Sequence, residues 1–314
     1  MDIVAECSGA KTIGICGHIK PDGDCIGATL ALSLYLKKRL PDAEITVFSD
    51  EISPCFECVK GIREFDFTFE KEQPEVFIVV DTLASRIGNA EKYFKNAKKT
   101  INIDHHISNA EGCAMVNYVV PTASSASELI YNLIDPAYLD KDMAEAIYMG
   151  IAHDTGIFKF ASTSPKTMRI VADLMEYGFD FPALLDKTYY EKTYIQNLAL
   201  GKILSDSKLH FDGKVISGSM DIKTMNEMGI TGNPFEGVVS QLRITEGTEC
   251  AIFMYQINAV TYKVSLRSKQ IVDVSKVAEH FGGGGHVRAA GFYCKGEADN
   301  ILNEILELMK PYFD

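Results

Sequence analysis

The chain has no excess of basic residues. Its 314 residues include 31 Lys and Arg against 43 Asp and Glu, a formal net charge of −12. A broad duplex-binding surface needs many cations to neutralise phosphates, so this charge argues against duplex DNA as a partner. Short anionic substrates remain compatible with it, because bound metals and a few basic groups can concentrate attraction in one cleft.

Long apolar segments and secretion signals are also lacking. No apolar run reaches the roughly 18 residues of a membrane-spanning helix, and no charged leader precedes an apolar stretch. We therefore expect a cytoplasmic enzyme with no membrane contact.

Cysteine pairs at metal spacing are scarce. The eight cysteines contain one C-x-x-C pair, Cys55 and Cys58, and no second pair at zinc spacing. We interpret these two as reduced cysteines, and the others, including Cys16 and Cys25, as small packing residues.

The length of the chain predicts two domains. Its 314 residues exceed what a single core normally spans. We expect a first domain at 1–185, a connecting helix at 186–207 and a second domain at 208–314. The predicted class is α/β, with a mostly parallel N-terminal sheet covered by helices on both faces, a smaller C-terminal α/β domain and a metal cleft between the two domains.

Carboxylates and imidazoles follow three apolar segments of strand length, at 12–17, 75–80 and 99–103. The residues that follow these segments are His18, Asp22 and Asp24, then Asp81, then Asp104, His105 and His106. Open α/β sheets place their ligands in the crevice outside the carboxyl ends of the strands.

Each of these residues alone has a simpler interpretation, since an Asp after a strand is often a turn residue or helix cap and a His is often a surface residue. Their joint occurrence, with Asp154 in the motif HDTGIF, is not explained by capping. Carboxylate and imidazole ligands suit Mn²⁺ and disfavour a structural zinc site. The pattern therefore indicates a hydrolytic centre with two divalent metals.

The C-terminal part of the chain carries a different pattern. Four glycines at 282–285 precede His286 and Arg288. Backbone N–H groups of glycines can approach an anion closely, although a flexible loop is the alternative interpretation. The alternating segment TYKVSLR places Lys263 and Arg267 on one face of a strand.

Together these motifs resemble the DHH phosphoesterases with a C-terminal DHH-associated domain. The resemblance rests on HIKPDGDCIGA, VVDT, IDHH, PTASSASELIY, DTGIF, SLRS and GGGGHVRAAG, and so covers essentially the whole chain. The order of the motifs is similar to that of the bacterial oligoribonucleases (nanoRNases) that also act on 3′-phosphoadenosine 5′-phosphate, pAp.

The resemblance implies two Mn²⁺ ions, with Mg²⁺ or Co²⁺ as alternatives. The ligands of the first ion would be His18, Asp22 and Asp81. Those of the second would be Asp24, Asp81, His105 and Asp154, so that Asp81 bridges the pair.

The resemblance also implies roles for other residues. His106 would contact the phosphate or assist the leaving oxygen, with Asp104 orienting this segment and Asp81 completing the catalytic set. The implied substrate contacts are Arg267, Ser268, Gly283, Gly284, Gly285, His286 and Arg288.

The implied function is a manganese-dependent phosphohydrolase that cleaves short single-stranded oligonucleotides to mononucleotides and removes the 3′-phosphate of pAp. Two alternatives stay open: a phosphodiesterase that acts on pApA, the linear form of a cyclic dinucleotide, and a catalytically inactive nucleotide-binding regulator. Inorganic pyrophosphatase is disfavoured, because family members with that activity carry a different C-terminal domain. A homodimer is compatible with the sequence.

Overall fold

A computed structural model describes residues 1–231 and 234–313. The chain divides into two compact units, Met1–Glu191 and Lys192–Asp314. Each unit has its own sheet and its own hydrophobic core. Within the described residues, no helix is both long and apolar enough to cross a membrane.

The first unit contains a parallel sheet. Its strands are β1 (Thr12–Cys16), β2 (Glu44–Phe48), β3 (Val76–Val80), β4 (Lys99–Asp104) and β5 (Val116–Val119). They lie in the order β2-β1-β3-β4-β5, and every neighbouring pair is parallel. The strand order reverses between β1 and β3, which is the place where doubly wound sheets open a crevice.

Helices cover this sheet. They are α1 (Ile3–Cys7), α2 (Gly23–Arg39), α3 (Glu91–Asn96), α4 (Ala126–Leu133), α5 (Lys141–Asp154), α6 (Pro165–Met175) and α7 (Phe181–Leu185). The core of one face joins the strands to α2, α4 and α5. On the other face an aromatic cluster that includes Phe77 packs Tyr93 of α3 against the sheet. The predicted α/β class with helices on both faces is confirmed.

The segment 186–207, for which we expect a connecting helix with a hinge near one end, contains two helical elements. Asp186–Tyr190 forms a π-helical turn, and a new helix, α8, runs over Tyr194–Ser205. The side chains of Thr193 and Gln196 form a capping box that starts α8, so the chain breaks between the two elements. The border between the two units lies in this break.

The second unit contains a mixed sheet. Its strands are β6 (Lys208–His210), β7 (Val215–Met220), β8 (Cys250–Asn258), β9 (Thr261–Ser268), β10 (Gly284–His286) and β11 (Ala289–Lys295). They lie in the order β10-β11-β9-β8-β7-β6, and only the pair of β7 and β8 is parallel. The helices after α8 are α9 (Ile222–Glu227), α10 (Val238–Arg243), α11 (Val274–His280) and α12 (Ala298–Met309).

The two faces of this second sheet are covered differently. One face packs against α11 and α12 in a core that includes Val264, Leu266 and Phe292. The opposite face packs against α8 and α10 mainly through β7 and β8, in a core that includes Phe253. Every second residue of β9 is partly exposed, because its side chain lies on this less completely covered face.

Candidate metal centre

Three strand ends of the first unit bring the predicted ligands together. His18 lies in the loop after β1, Asp81 directly follows β3, and His105 directly follows β4. Asp154 is the last residue of α5. Three of these positions lie at the carboxyl ends of parallel strands, where open α/β sheets bind their ligands. Residues that are far apart in the chain therefore share one site.

Asp81 lies at the middle of this site. Its backbone has a φ of 62°, a left-handed conformation that is uncommon outside glycine and is found at functional positions. Oδ2 of Asp81 lies 3.6 Å from His18 Nε2, and Oδ1 lies 3.4 Å from His105 Nε2. The two oxygens of one carboxylate therefore face two different histidines.

His18 is oriented by its own backbone neighbour. Its Nδ1 lies 2.9 Å from the carbonyl oxygen of Ile19, and since a carbonyl can only accept, Nδ1 carries the proton. Nε2 then points to Asp81 and to Asp22, whose Oδ2 is 3.7 Å away. A hydrogen bond from the other ring nitrogen, like that of Nδ1 to Ile19, fixes the tautomer of histidines that ligate metals.

Asp22 and Asp24 are held by helix N-termini. Oδ1 of Asp22 caps α2 by accepting from the backbone N–H groups of Asp24 and Cys25, each at 3.0 Å. The carboxylate of Asp24, which is 1% exposed, accepts from the N–H groups of Ala126 and Ser127 at 2.7 and 2.9 Å. Helix N-termini favour negative charge, so these contacts stabilise both carboxylates in their ionised form.

His105 contacts the remaining carboxylates. Its Nε2 lies 3.5 Å from Asp154 Oδ2 and 3.9 Å from Asp24 Oδ2, in addition to its contact with Asp81. The ligand atoms of Asp24, His105 and Asp154 all lie within 4.8 Å of one another. This group could hold one ion, and Asp81 stands between it and His18.

His106 makes a different contact. Its Nδ1 lies 2.7 Å from Asp104 Oδ1, and its side chain is 40% exposed. Asp104 is fully buried and also accepts from Asn109 Nδ2 at 2.6 Å. Asp104 therefore faces His106 and the backbone. His106 Nδ1 also lies 3.7 Å from Asp81 Oδ1, and His106 groups with Asp81 and His105 as possible ligands within 4.8 Å.

The cluster changes the pKa values of its members. Burial alone would lower the pKa of His18, but Asp22 and the other neighbouring acceptors raise it to about 9. Burial likewise opposes the effect of Asp81, Asp24 and Asp154 on His105, yet the pKa of His105 rises to about 10. Burial, with carboxylate repulsion, raises the pKa of Asp24 and Asp81, and that of Asp154 to about 6.

Other groups of the site shift by similar causes. Burial would raise the pKa of Asp22, but contacts with His18 and with backbone N–H groups lower it to about 2. The contact with Asp104 raises the pKa of His106, and the contacts with His106 and Asn109 lower that of Asp104 against the effect of burial.

These residues fit divalent metals. Oδ1 of Asp81 is buried and makes no hydrogen bond to any residue within 1–231 or 234–313. A buried acceptor without a partner is costly, and a cation would supply the partner. A set of several carboxylates and imidazoles suits Mn²⁺ or Mg²⁺. Structural zinc ions are bound mainly by thiolates instead.

Two features of this site were missed by sequence reasoning. The Cys25 sulfur groups with ligand atoms of His18 and Asp81 within 4.8 Å, although we expected Cys25 to be a packing residue. Gly150 makes room for the Asp24 contacts, because a Cβ there would lie 1.9 Å from Ser127 Oγ and 2.8 Å from Asp24 Oδ1. The start of α4 was readable from Ser125 and Glu128, but its contact with Asp24, more than 100 residues away, has no local signal.

The predicted substrate contacts lie in the second unit. Arg267 is on β9, and in the sheet register it lies beside Ala289, which pairs with His286 of β10. Arg288 Nη1 donates to the carbonyl oxygen of Val272 at 2.9 Å. The hydroxyl of Ser268 is buried and donates to the same carbonyl at 2.7 Å.

The second half of the glycine run belongs to an edge strand rather than to a loop. Gly284 and Gly285 belong to β10 and pair with β11, with Gly283 just before them. A Cβ at Gly285 would lie 2.4 Å from the carbonyl oxygen of Ala289, and one at Gly283 would lie 2.4 Å from that of Gly291. Glycine is therefore required here by close backbone approach.

A second arginine near Arg267 was not predicted. Burial, followed by repulsion from Arg243, lowers the pKa of the Arg267 guanidinium. Arg243 Nε is buried without a hydrogen-bond partner among the residues that the structure describes. Two neighbouring cations, one of them incompletely paired, are suited to an anion.

Comparisons with known proteins agree with these features. Residues 12–151 match the DHH family, N-terminal domain, and residues 212–313 match the DHHA1 domain. Proteins named bifunctional oligoribonuclease and PAP phosphatase NrnA, from Thermus thermophilus and Bacillus subtilis, are each 29% identical to the chain. The alignments cover 99% of this chain in both cases, with 93% of the first relative and 99% of the second.

A solved structure shares the whole fold. The crystal structure of an exopolyphosphatase-related protein from Bacteroides fragilis superposes with a TM-score of 0.89 at 24% identity, covering 99% of this chain and 96% of that one. The chain is a hydrolase that acts on phosphoester bonds, and it belongs to the DHH family with a C-terminal DHHA1 domain.

Proposed function

We propose that the protein is a manganese-dependent phosphohydrolase that cleaves short oligonucleotides to mononucleotides and removes the 3′-phosphate of pAp. The observation that carries this proposal is the position of Asp81, whose two oxygens face His18 and His105. Relatives named oligoribonuclease and PAP phosphatase, aligned over almost the whole chain, support the substrate class.

Two groups of ligands would hold the metals. His18, Asp22 and Asp81 would hold one ion, and the second would be held by Asp24, Asp81, His105 and Asp154. Two divalent ions in such a site supply an activated water and neutralise the charge of the phosphoryl group during in-line displacement. Mn²⁺ suits the mixed oxygen and nitrogen donors of this set.

His106 would then be the proton donor for the leaving oxygen. Its pKa is raised by the contact with Asp104, so the imidazole keeps a proton closer to neutral pH. Since Nδ1 is engaged with Asp104, Nε2 is the atom left to act on the substrate. Asp104 is a positioning residue in this proposal, because its oxygens are used by His106, Asn109 and backbone N–H groups.

The second unit would bind phosphate groups of the substrate that do not react. Arg267 and Arg243 are neighbouring cations, and the exposed His286 shares a row of the sheet with Arg267. Binding energy from such remote groups improves positioning of the reacting phosphate. This arrangement would favour substrates with a second phosphate, such as pAp and short oligonucleotides.

A substrate panel tests the proposal. The purified protein with Mn²⁺ should hydrolyse pAp and RNA of two to five residues, should act poorly on 20-residue RNA, and should leave pyrophosphate intact. Addition of EDTA should stop the turnover. Hydrolysis of pApA alone would favour the cyclic-dinucleotide pathway instead, and the absence of any phosphoester hydrolysis would contradict the proposal.

A further inference from the structure

The second sheet has a face that is only half covered. The residues of β9 alternate between buried and partly exposed, and the partly exposed set is Thr261, Lys263, Ser265 and Arg267. The core on this side is formed by β7 and β8 with α8 and α10, and it contains no residue of β9, β10 or β11. On the outer part of this face Lys263 and Ser265 are partly exposed, and Tyr293 of β11 is exposed.

The sheet register defines what this outer part presents. Lys263 of β9 pairs with Tyr293 of β11. The next register pair on the same face of the sheet is Ser265 with Gly291. Gly284 of β10 lies beside Gly291 of that pair. The small residues Ser265, Gly291 and Gly284 thus form a floor. The larger residues Lys263 and Tyr293 lie at one end of it.

These residues line a groove. It has a volume of about 450 Å³, and its lining includes Lys263, Ser265, Gly283, Gly291 and Tyr293. Small-molecule sites in proteins fall in the range of about 300–1,000 Å³. The groove is therefore large enough for one nucleotide.

The charge of this face is opposite to that of the chain. The formal net charge of the protein is −12, yet the exposed side of β9 presents Lys263 and Arg267. Neither cation has a carboxylate within 4.0 Å among the residues of 192–231 and 234–313. Four residues along a strand separate them by about 13 Å, so the two cations do not converge on a single phosphate.

An exposed aromatic ring lies beside the first cation. The side chain of Tyr293 is 62% exposed and has Lys263 as its register partner. Lys263 Nζ also lies 5.9 Å from the ring centroid of Tyr255 on the other side. Exposed aromatic rings on sheets, with adjacent cations, are the surfaces on which single-stranded nucleic acids stack their bases.

We propose that this groove binds a non-reacting nucleotide of an oligonucleotide substrate, with the base stacked on Tyr293 and the phosphate paired with Lys263. This inference rests on the proposed function for the class of substrate. It concerns a subsite that pAp, which has a single base, would not need for its turnover. The groove thereby gives a physical reason for discrimination between pAp and oligonucleotides of three or more residues.

The experiment compares two substrates in the full-length protein with Mn²⁺. Tyr293→Ala and Lys263→Ala should each raise KM for a four-residue oligoadenylate on the order of tenfold, the size expected for one stacked base. KM and kcat for pAp should change less than about twofold in both variants. Equal losses on both substrates, or no change on the oligonucleotide, would overturn the proposal.

Conservative and matched variants sharpen the result. Tyr293→Phe keeps the ring and Lys263→Arg keeps the charge, so both should retain most of the wild-type KM. Lys208→Ala removes one positive charge from β6, at the opposite edge of the sheet, and should leave KM unchanged. If Lys208→Ala raised KM as much as Lys263→Ala, the effect would be due to the net charge of the protein. That result would contradict a local site.

Binding without turnover separates this inference from the proposed function. Fluorescence anisotropy with a labelled four-residue oligoadenylate in EDTA should show about tenfold weaker binding for Tyr293→Ala than for wild type. If the wild type binds but hydrolyses nothing in the panel above, the proposed function fails and the groove stands. If Tyr293→Ala binds like wild type, the groove assignment fails whatever the enzyme hydrolyses.

Discussion

The two candidate binding regions are built in opposite ways. In the first unit, buried carboxylates and histidines converge from strand ends, and Asp24 and Asp81 are 1% and 3% exposed. In the second unit, the partly exposed Lys263 and Arg267 and the exposed Tyr293 lie on one sheet face. Buried like charges are costly until a cation neutralises them, whereas partly exposed cations cost less and bind anions modestly. Substitutions should therefore have larger effects in the first region than in the second.

The largest effect is expected for Asp81. Asp81→Ala should lose more activity than Asp22→Ala or Asp24→Ala, and by more than about 10⁴-fold, because the shared carboxylate serves both ions. Elemental analysis should find less Mn²⁺ in this variant than in the other two. Retention of two ions per chain in Asp81→Ala would remove the bridging assignment.

A smaller effect is expected for His106. His106→Ala should keep its metal while kcat falls about 100-fold, because this residue acts on the substrate rather than on the ions. His105→Ala provides the matched comparison, since it should lose metal. If His106→Ala lost its Mn²⁺ and His105→Ala kept it, the roles of the two histidines would have to be exchanged.

Gly150 tests the support of Asp24. Gly150→Ala places a methyl group against Ser127 and Asp24, so the Kd for Mn²⁺, measured by calorimetry, should rise about 30-fold. Gly201→Ala is the control, because a Cβ at this helical glycine meets nothing within 4 Å. An unchanged Kd in a folded Gly150→Ala protein would show that the α4 contacts do not position Asp24.

The second region should respond most weakly. Arg267→Ala should raise KM for pAp roughly tenfold, the loss expected for a charge-assisted hydrogen bond. KM for a nitrophenyl phosphate ester, which has only the reacting phosphate, should change much less. Equal losses on the two substrates would place Arg267 at the reacting phosphate or in folding.

Much of this organisation could be predicted from sequence. The apolar segments at 12–17, 75–80 and 99–103 correspond to β1, β3 and β4, because a buried parallel strand needs a continuous apolar run. Their carboxyl ends meet at one edge, so His18, Asp81 and His105 were expected together and the structure places them together.

Other features had no local signal. The glycine run at 282–285 has no side chains that could show a strand pattern, and its pairing in β10 depends on close approach to β11. The contact of Asp24 with Ala126 and Ser127 joins segments that are far apart in the chain. The break before α8 depends on a capping box at Thr193, which helical periodicity alone does not reveal.

Calorimetric titration of the wild-type protein with Mn²⁺ tests the central claim most directly. At pH 8 the metal-free histidines at 18 and 105, with pKa values of about 9 and about 10, are protonated and must release their protons for their Nε2 atoms to bind metal. We predict two ions per chain, release of protons from at least these two histidines in buffers of different ionisation enthalpy, and tighter binding as the pH rises. One ion per chain, or binding without proton release, would contradict a two-metal centre built on Asp81.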